Sequence, residues 1–159
     1  MAARTALITG GGGDLALAVR TCLLAEGWTV HAPNRQEMDV TSTAAVTAFF
    51  TGLGPLDLLI NNAGVIADSP MLLARPDQWE SVLAVNLDGA FRCTRAALKG
   101  MVKQRQGHII NIGSFAALHG TEGQSSYAAA KAGLIALTQS VALEYGPRNI
   151  RCNCVLPGF

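Results

Sequence analysis

Short, almost continuous apolar runs alternate along this chain with longer stretches of helical pattern, and that alternation constrains the fold more than any other feature. Arg4 to Thr9 (RTALIT), Trp28 to Pro33, Leu56 to Ile60 (LDLLI), His108 to Ile112 and Ile150 to Leu156 read as strands, with Glu37 to Val40 as a further short one. Helices are expected from the Gly10 to Gly13 turn to about Glu26, over Thr43 to Leu53, from Pro76 with a bend to about Gln104, and over Ser126 to Tyr145. Apolar strands separated by helices are buried on both faces, which implies a parallel sheet between two helical layers. Right-handed crossovers turn that order into an α/β, doubly wound, mostly parallel sheet of Rossmann type with about six strands. Only Asn34, Arg35 and Gln36 separate the second strand from the third. A crossover helix needs a dozen or more residues, so that link must be a tight turn or the third strand must pair differently.

The 159 residues suit a single domain, residues 1–159, with room for one core. Only 14% of them are charged, the formal net charge is +1 and the mean hydropathy is +0.29, values of a chain that folds. The lack of a Lys/Arg cluster gives no electrostatic footprint for nucleic acid or an anionic membrane surface. No apolar run approaches the roughly 18 to 20 residues of a membrane span, and the N-terminus has no signal-peptide pattern. A cytoplasmic protein is the expectation. Cys22, Cys93, Cys152 and Cys154 form no CxxC or Cys/His cluster and read as free thiols. His31, His108 and His119 lie too far apart for ligand spacing, so no metal is expected.

Three constellations carry chemistry. The first, Thr9 to Ala16 (TGGGGDLA), joins a strand to a helix. Glycines there let the backbone approach a pyrophosphate, and the helix N-terminus offers oriented N–H groups. A plain tight turn with Asp14 as helix N-cap is the other reading. The second, Asn61-Asn62-Ala63-Gly64, closes a strand at the end where open α/β sheets bind ligands, or is merely a polar turn. The third is Ser114 with Tyr127 and Lys131. Spacing i, i+4 puts Tyr127 and Lys131 on one helix face, where an ammonium near a phenol favours the phenolate and eases proton exchange with a substrate oxygen. Ser114, ending a strand, can donate a hydrogen bond to the same oxygen. A surface tyrosine beside a solvated lysine is the alternative.

Thr9-Gly10-x-x-x-x-Leu15, Asn61-Asn62-Ala63-Gly64, Asn86, Ser114, Tyr127-x-x-x-Lys131 and Pro157-Gly158, in this order, resemble the short-chain dehydrogenase/reductase family. The segment Gly123 to Leu134 (GQSSYAAAKAGL) looks most like 3-oxoacyl-(acyl carrier protein) reductases. The resemblance implies hydride transfer between a nicotinamide cofactor and a carbonyl or secondary alcohol, with a 3-oxoacyl thioester as substrate. It implies that Tyr127 donates the proton, Lys131 favours the phenolate and binds the nicotinamide ribose, Ser114 holds the substrate oxygen, and Asn86 orders a water near Lys131. Cofactor contacts are implied at Gly10, Gly12, Gly13, Asp14, Leu15, Asn34, Arg35, Asp39, Val40, Asn62, Ala63, Gly64, Tyr127, Lys131, Pro157 and Gly158. The two long helices are expected to join subunits of a homo-oligomer.

The chain departs from the family pattern at Asp14 and Ala16, where that pattern has glycine. No acidic residue ends the second strand, and Arg35 follows it, so NADP is expected over NAD through a contact with the 2′-phosphate. The sequence stops at Pro157-Gly158-Phe159, and the family's substrate lid, last helix and last strand are expected to be missing. A catalytically silent remnant that binds nucleotide or a partner is therefore the competing expectation.

Overall fold

The computed structural model describes residues 4–158. Five strands, β1 (Thr5–Ile8), β2 (Thr29–His31), β3 (Leu58–Asn61), β4 (Gly107–Ile112) and β5 (Ile150–Val155), form one parallel sheet in the order β2-β1-β3-β4-β5. The helices are α1 (Asp14–Ala25), α2 (Thr43–Leu53), α3 (Pro76–Leu83), α4 (Ala90–Gln104) and α5 (Ser125–Tyr145). Side chains of a strand alternate between faces. Leu7, Leu59, Ile109 and Cys152 accordingly face one core with Val46, Cys93, Met101 and Val141 of α2, α4 and α5. Ala6, Ile8, Leu58 and Ile60 face the other, where Ala16 and Val19 of α1 cover them. Helix α5 presents Ser126, Ala130, Leu134 and Thr138 inward at four-residue spacing, as one buried stripe requires.

Glu37 to Val40 is not a sixth strand. Asn34 Oδ1 accepts from the N–H groups of Gln36 (2.8 Å) and Glu37 (3.2 Å), while the Asn34 N–H donates to Glu37 Oε2 (2.8 Å). These reciprocal bonds close a turn, and Met38 and Val40 then drop into the core beneath α2 instead of pairing. The tight-turn alternative is the one realised. β2 thus lies at the sheet edge among the described residues.

The bend expected between Pro76 and Gln104 is a π-helical turn, Ala84–Gly89, inserted between α3 and α4. Such turns leave backbone carbonyls unpaired, and Asn86 satisfies one: its Nδ2 donates to the Val82 carbonyl (2.9 Å) and also to that of Val65 (2.8 Å). A second buried polar group links the layers. Asn61 Nδ2 donates to Thr94 Oγ1 of α4 (3.0 Å) and to Asn111 Oδ1 of β4 (2.7 Å), and Asn111 Nδ2 donates to Thr138 Oγ1 of α5 (2.8 Å).

The order β2-β1-β3 places the reversal of winding at β1 and β3. Their carboxyl ends open the crevice where doubly wound sheets bind ligands.

Candidate functional site

The crevice between β1 and β3 is a cleft of about 390 Å³ lined by the β1–α1 turn (Gly10, Gly13, Asp14, Leu15), the β2–α2 loop (Arg35, Met38, Asp39, Val40), the residues after β3 (Asn62 to Val65) and Val85. Backbone contacts hold its walls together. The N–H groups of Asn62 and Ala63 both donate to Thr9 Oγ1 (3.0 and 2.9 Å), and Asn62 Nδ2 donates back to the Thr9 carbonyl (3.0 Å). The Gly11 N–H donates to the Pro33 carbonyl (2.9 Å), drawing the turn so close to the second strand that a Cβ on Gly11 would overlap the Ala32 carbonyl. Helix α1 starts from Gly13 as N-cap, so Asp14 is its first residue rather than its cap, and Asp14 lines the cleft.

On the outer rim, Asp39 Oδ1 accepts from the Thr41 hydroxyl (2.7 Å) and the Thr41 N–H (2.9 Å), while Arg35 Nε approaches Asp39 Oδ2 at 3.5 Å. The Thr41 hydrogen bonds, with a smaller contribution from the Arg35 cation, hold the Asp39 carboxyl below the usual carboxylate range.

Lys131 is 3% exposed. Its Nζ donates to the Ile112 carbonyl (2.7 Å) and lies 5.5 Å from the centre of the Tyr127 ring. Burial pushes the ammonium down to about 8, from an ordinary value of 10.5, partly offset by the neighbouring Cys154 thiol. The alternative of a solvated lysine is excluded. Ser114 caps a short 3₁₀ turn, Phe115–Ala117, its Oγ accepting from the Ala116 N–H (3.2 Å) and its O–H left to donate.

Gly64 is where the cleft meets this second group. A Cβ there would lie 2.8 Å from Asn86 Oδ1 and 3.8 Å from Lys131 Nζ, so only glycine lets these three converge. Asn86 Oδ1 is buried and has no hydrogen-bond partner among the described residues. A buried oxygen without a partner is a place for a water or a ligand hydroxyl to donate.

The structure thus gathers ten of the residues expected to contact a cofactor (Gly10, Gly13, Asp14, Leu15, Arg35, Asp39, Val40, Asn62, Ala63 and Gly64) in one cleft. Gly12 and Asn34 are exposed and outside its lining; Tyr127 and Lys131 lie beyond Gly64, and Pro157 and Gly158 are exposed after β5. Phe159 lies outside the described residues. Met38, Val65 and Val85 line the cleft without having been expected, as does the packing role of Gly11. Gly11 carries a signal in hindsight, since it sits inside the glycine run. The three apolar residues carry none.

Residues 36–159 match the family model described as short chain dehydrogenase. The chain belongs to this family. It is 38% identical over 134 residues to a 3-oxoacyl-(acyl-carrier-protein) reductase of Vibrio cholerae, covering 84% of this chain and 53% of that protein. The reductase of the same name from Vibrio harveyi is 33% identical, with coverage of 98% and 73%. That from Synechocystis is 46% identical over 104 residues, 65% of this chain and 42% of its own length. The chain therefore spans about half the length of several curated short-chain dehydrogenase relatives. Among solved structures, NAD⁺-bound xylitol dehydrogenase superposes with a TM-score of 0.91 at 32% identity, over 98% of this chain and 70% of that one.

Proposed function

We propose that this chain binds a nicotinamide dinucleotide across the cleft and interconverts a carbonyl and a secondary alcohol at its inner end. The observation that carries the reading is the convergence of Lys131 Nζ and the unpartnered Asn86 Oδ1 on Gly64, a residue that also lines the cleft. The residues suit such a cofactor. The cleft falls within the size range of small-molecule sites, and the Gly10 to Gly13 turn opens α1 toward it. When bound, the nicotinamide supplies or accepts hydride. The protein's share is proton handling and positioning. Tyr127 gives its phenolic proton to the substrate oxygen, and the Ser114 O–H hydrogen-bonds to the same atom. Lys131 stabilises the resulting phenolate and engages the ribose hydroxyls, while Asn86 Oδ1 orients a water that returns the proton.

NADP is the proposed form, with Arg35 meeting the 2′-phosphate as a planar, bidentate donor. Asp39 and Val40 face the adenine and Pro157-Gly158 the nicotinamide. By likeness to the named reductases, the substrate is a 3-oxoacyl thioester. Homo-oligomerisation is proposed through α4 and α5, whose shared groove is lined by the exposed Phe91 and Arg95 above the buried Leu98. The departure of the β1–α1 turn from the family pattern at Asp14 and Ala16 favours a second reading, a nucleotide- or partner-binding module without turnover.

The deciding experiment is a fluorescence titration of the 159-residue chain with NADPH and NADH, followed by assay with a 3-oxoacyl thioester. Saturable binding with turnover supports the first reading. Binding without turnover supports the second, and no binding removes both nucleotide readings.

A further inference from the structure

Of the residues lining the cleft, Arg35 is the cation and Asp14 and Asp39 are the anions. The β2–α2 loop carries two of these three within reach of each other. Reciprocal hydrogen bonds between Asn34 and Glu37 hold the backbone of the turn that carries Arg35. The Arg35 side chain itself is 81% exposed and free to swing. Asp39 is the opposite case. Two hydrogen bonds from Thr41 pin Oδ1, so Oδ2 stays where it meets Arg35 Nε at 3.5 Å. A rigid carboxylate therefore engages a mobile guanidinium at the rim of the cleft. The same Thr41 bonds keep the carboxyl ionised throughout the neutral range, so the pairing is not lost near pH 7.

We propose that Asp39 is a specificity-determining residue acting through Arg35: its carboxylate holds the Nε side of the guanidinium, competes there with a 2′-phosphate, and so moderates the preference for NADPH over NADH. The proposal rests on the reading that Arg35 meets that phosphate. A carboxylate and a phosphate oxygen make the same charge-assisted bond to a guanidinium, so they compete for it. Binding of the phosphorylated dinucleotide breaks the Asp39–Arg35 pair, whereas the unphosphorylated form leaves it intact. An exposed i, i+4 pair contributes little to folding, so the effect belongs in the ligand ratio rather than in stability.

The test is a double-mutant cycle on the 159-residue chain, with NADPH and NADH dissociation constants measured for the parent, Asp39→Asn, Arg35→Ala and the double variant. Asn at position 39 can still accept from Thr41, and a thermal melt confirms that each variant is folded. Asp39→Asn should raise the NADPH-to-NADH affinity ratio about threefold, the scale of one exposed ion pair. In the Arg35→Ala background the same substitution should leave the ratio unchanged. An unchanged ratio in the first case overturns the proposal. So does an equal rise in both backgrounds, which would mean that Asp39 repels the phosphate directly. If Arg35→Ala instead weakens both nucleotides equally, or if neither binds, the reading of Arg35 fails first and the proposal falls with it.

Discussion

The two ends of the site are built from different material. The outer end, where β1 and β3 open, is made of backbone: glycine turns, peptide N–H groups and one threonine hydroxyl joining two loops. The inner end, as proposed, is made of side chains, Lys131, Asn86, Tyr127 and Ser114, presented by a helix, a π turn and a strand end. A backbone-built wall tolerates almost no added volume but is indifferent to most side chains facing away from it. An end built of side chains inverts that. It keeps its shape when a functional group is removed and loses only the chemistry.

Replacing Tyr127 by Phe is the sharpest probe of the inner end. Loss of the phenolic proton should cut turnover by about 10²- to 10⁴-fold while nucleotide dissociation constants stay within about twofold. Retained turnover in a steady-state assay would remove Tyr127 from the acid role and merge the two ends functionally.

The outer end is broken by adding one carbon. Gly11→Ala drives a Cβ into the Ala32 carbonyl and should cost about 1–3 kcal/mol in denaturant unfolding. Gly12, with no atom within 4 Å of its would-be Cβ, should accept alanine nearly neutrally. Equal costs at the two glycines would show that the wall is softer than its contacts imply.

Lys131 tests the inner end through pH. Its ammonium is pushed down to about 8 in the fold against 10.5 when free, so between those values the unfolded chain holds more protons. Stability should therefore rise with pH across that window, and the burial penalty is fully felt below pH 8. Lys131→Met should stabilise the chain by about 1–2 kcal/mol at pH 7, with the gain shrinking toward pH 10.5. A gain independent of pH would assign the effect to packing alone.

Asp14→Asn is the mildest change and returns to the outer end. Removing a charge from the cleft wall should tighten NADPH severalfold in low salt, and the gain should fade as salt screens it. An unaltered dissociation constant would place the carboxylate out of reach of the pyrophosphate.

The same division explains what could be read before the fold was known. Tyr127 and Lys131 were legible because helical periodicity puts residues four apart on one face, a rule that needs no tertiary information. The strand-to-helix order gave the layers for a similar reason. Glu37 to Val40 misled because buried Met38 and Val40 alternate as a strand would, whereas the Asn34–Glu37 hydrogen bonds that close a turn there depend on side-chain geometry. Burial of Lys131 was also out of reach. Nothing in its neighbours in sequence announces the Ile112 carbonyl that accepts its hydrogen bond. Val85 and Met38 reach the cleft only through the π turn and the β2–α2 loop, irregular segments with no periodic signature.

The buried chain of Thr94, Asn61, Asn111 and Thr138 has a consequence for fidelity of assembly. Asn61 and Asn111 are register partners across β3 and β4, and their amides meet only in that alignment. A slip of one residue would turn one of them toward the opposite face, part the two amides and leave buried polar groups unpaired. Misregistered sheets are thus selected against before any ligand is present. The loops that leave those two strands, Asn62 to Gly64 on one side and Gly113 to Ser114 on the other, arrive level with each other as a by-product of strand proofreading.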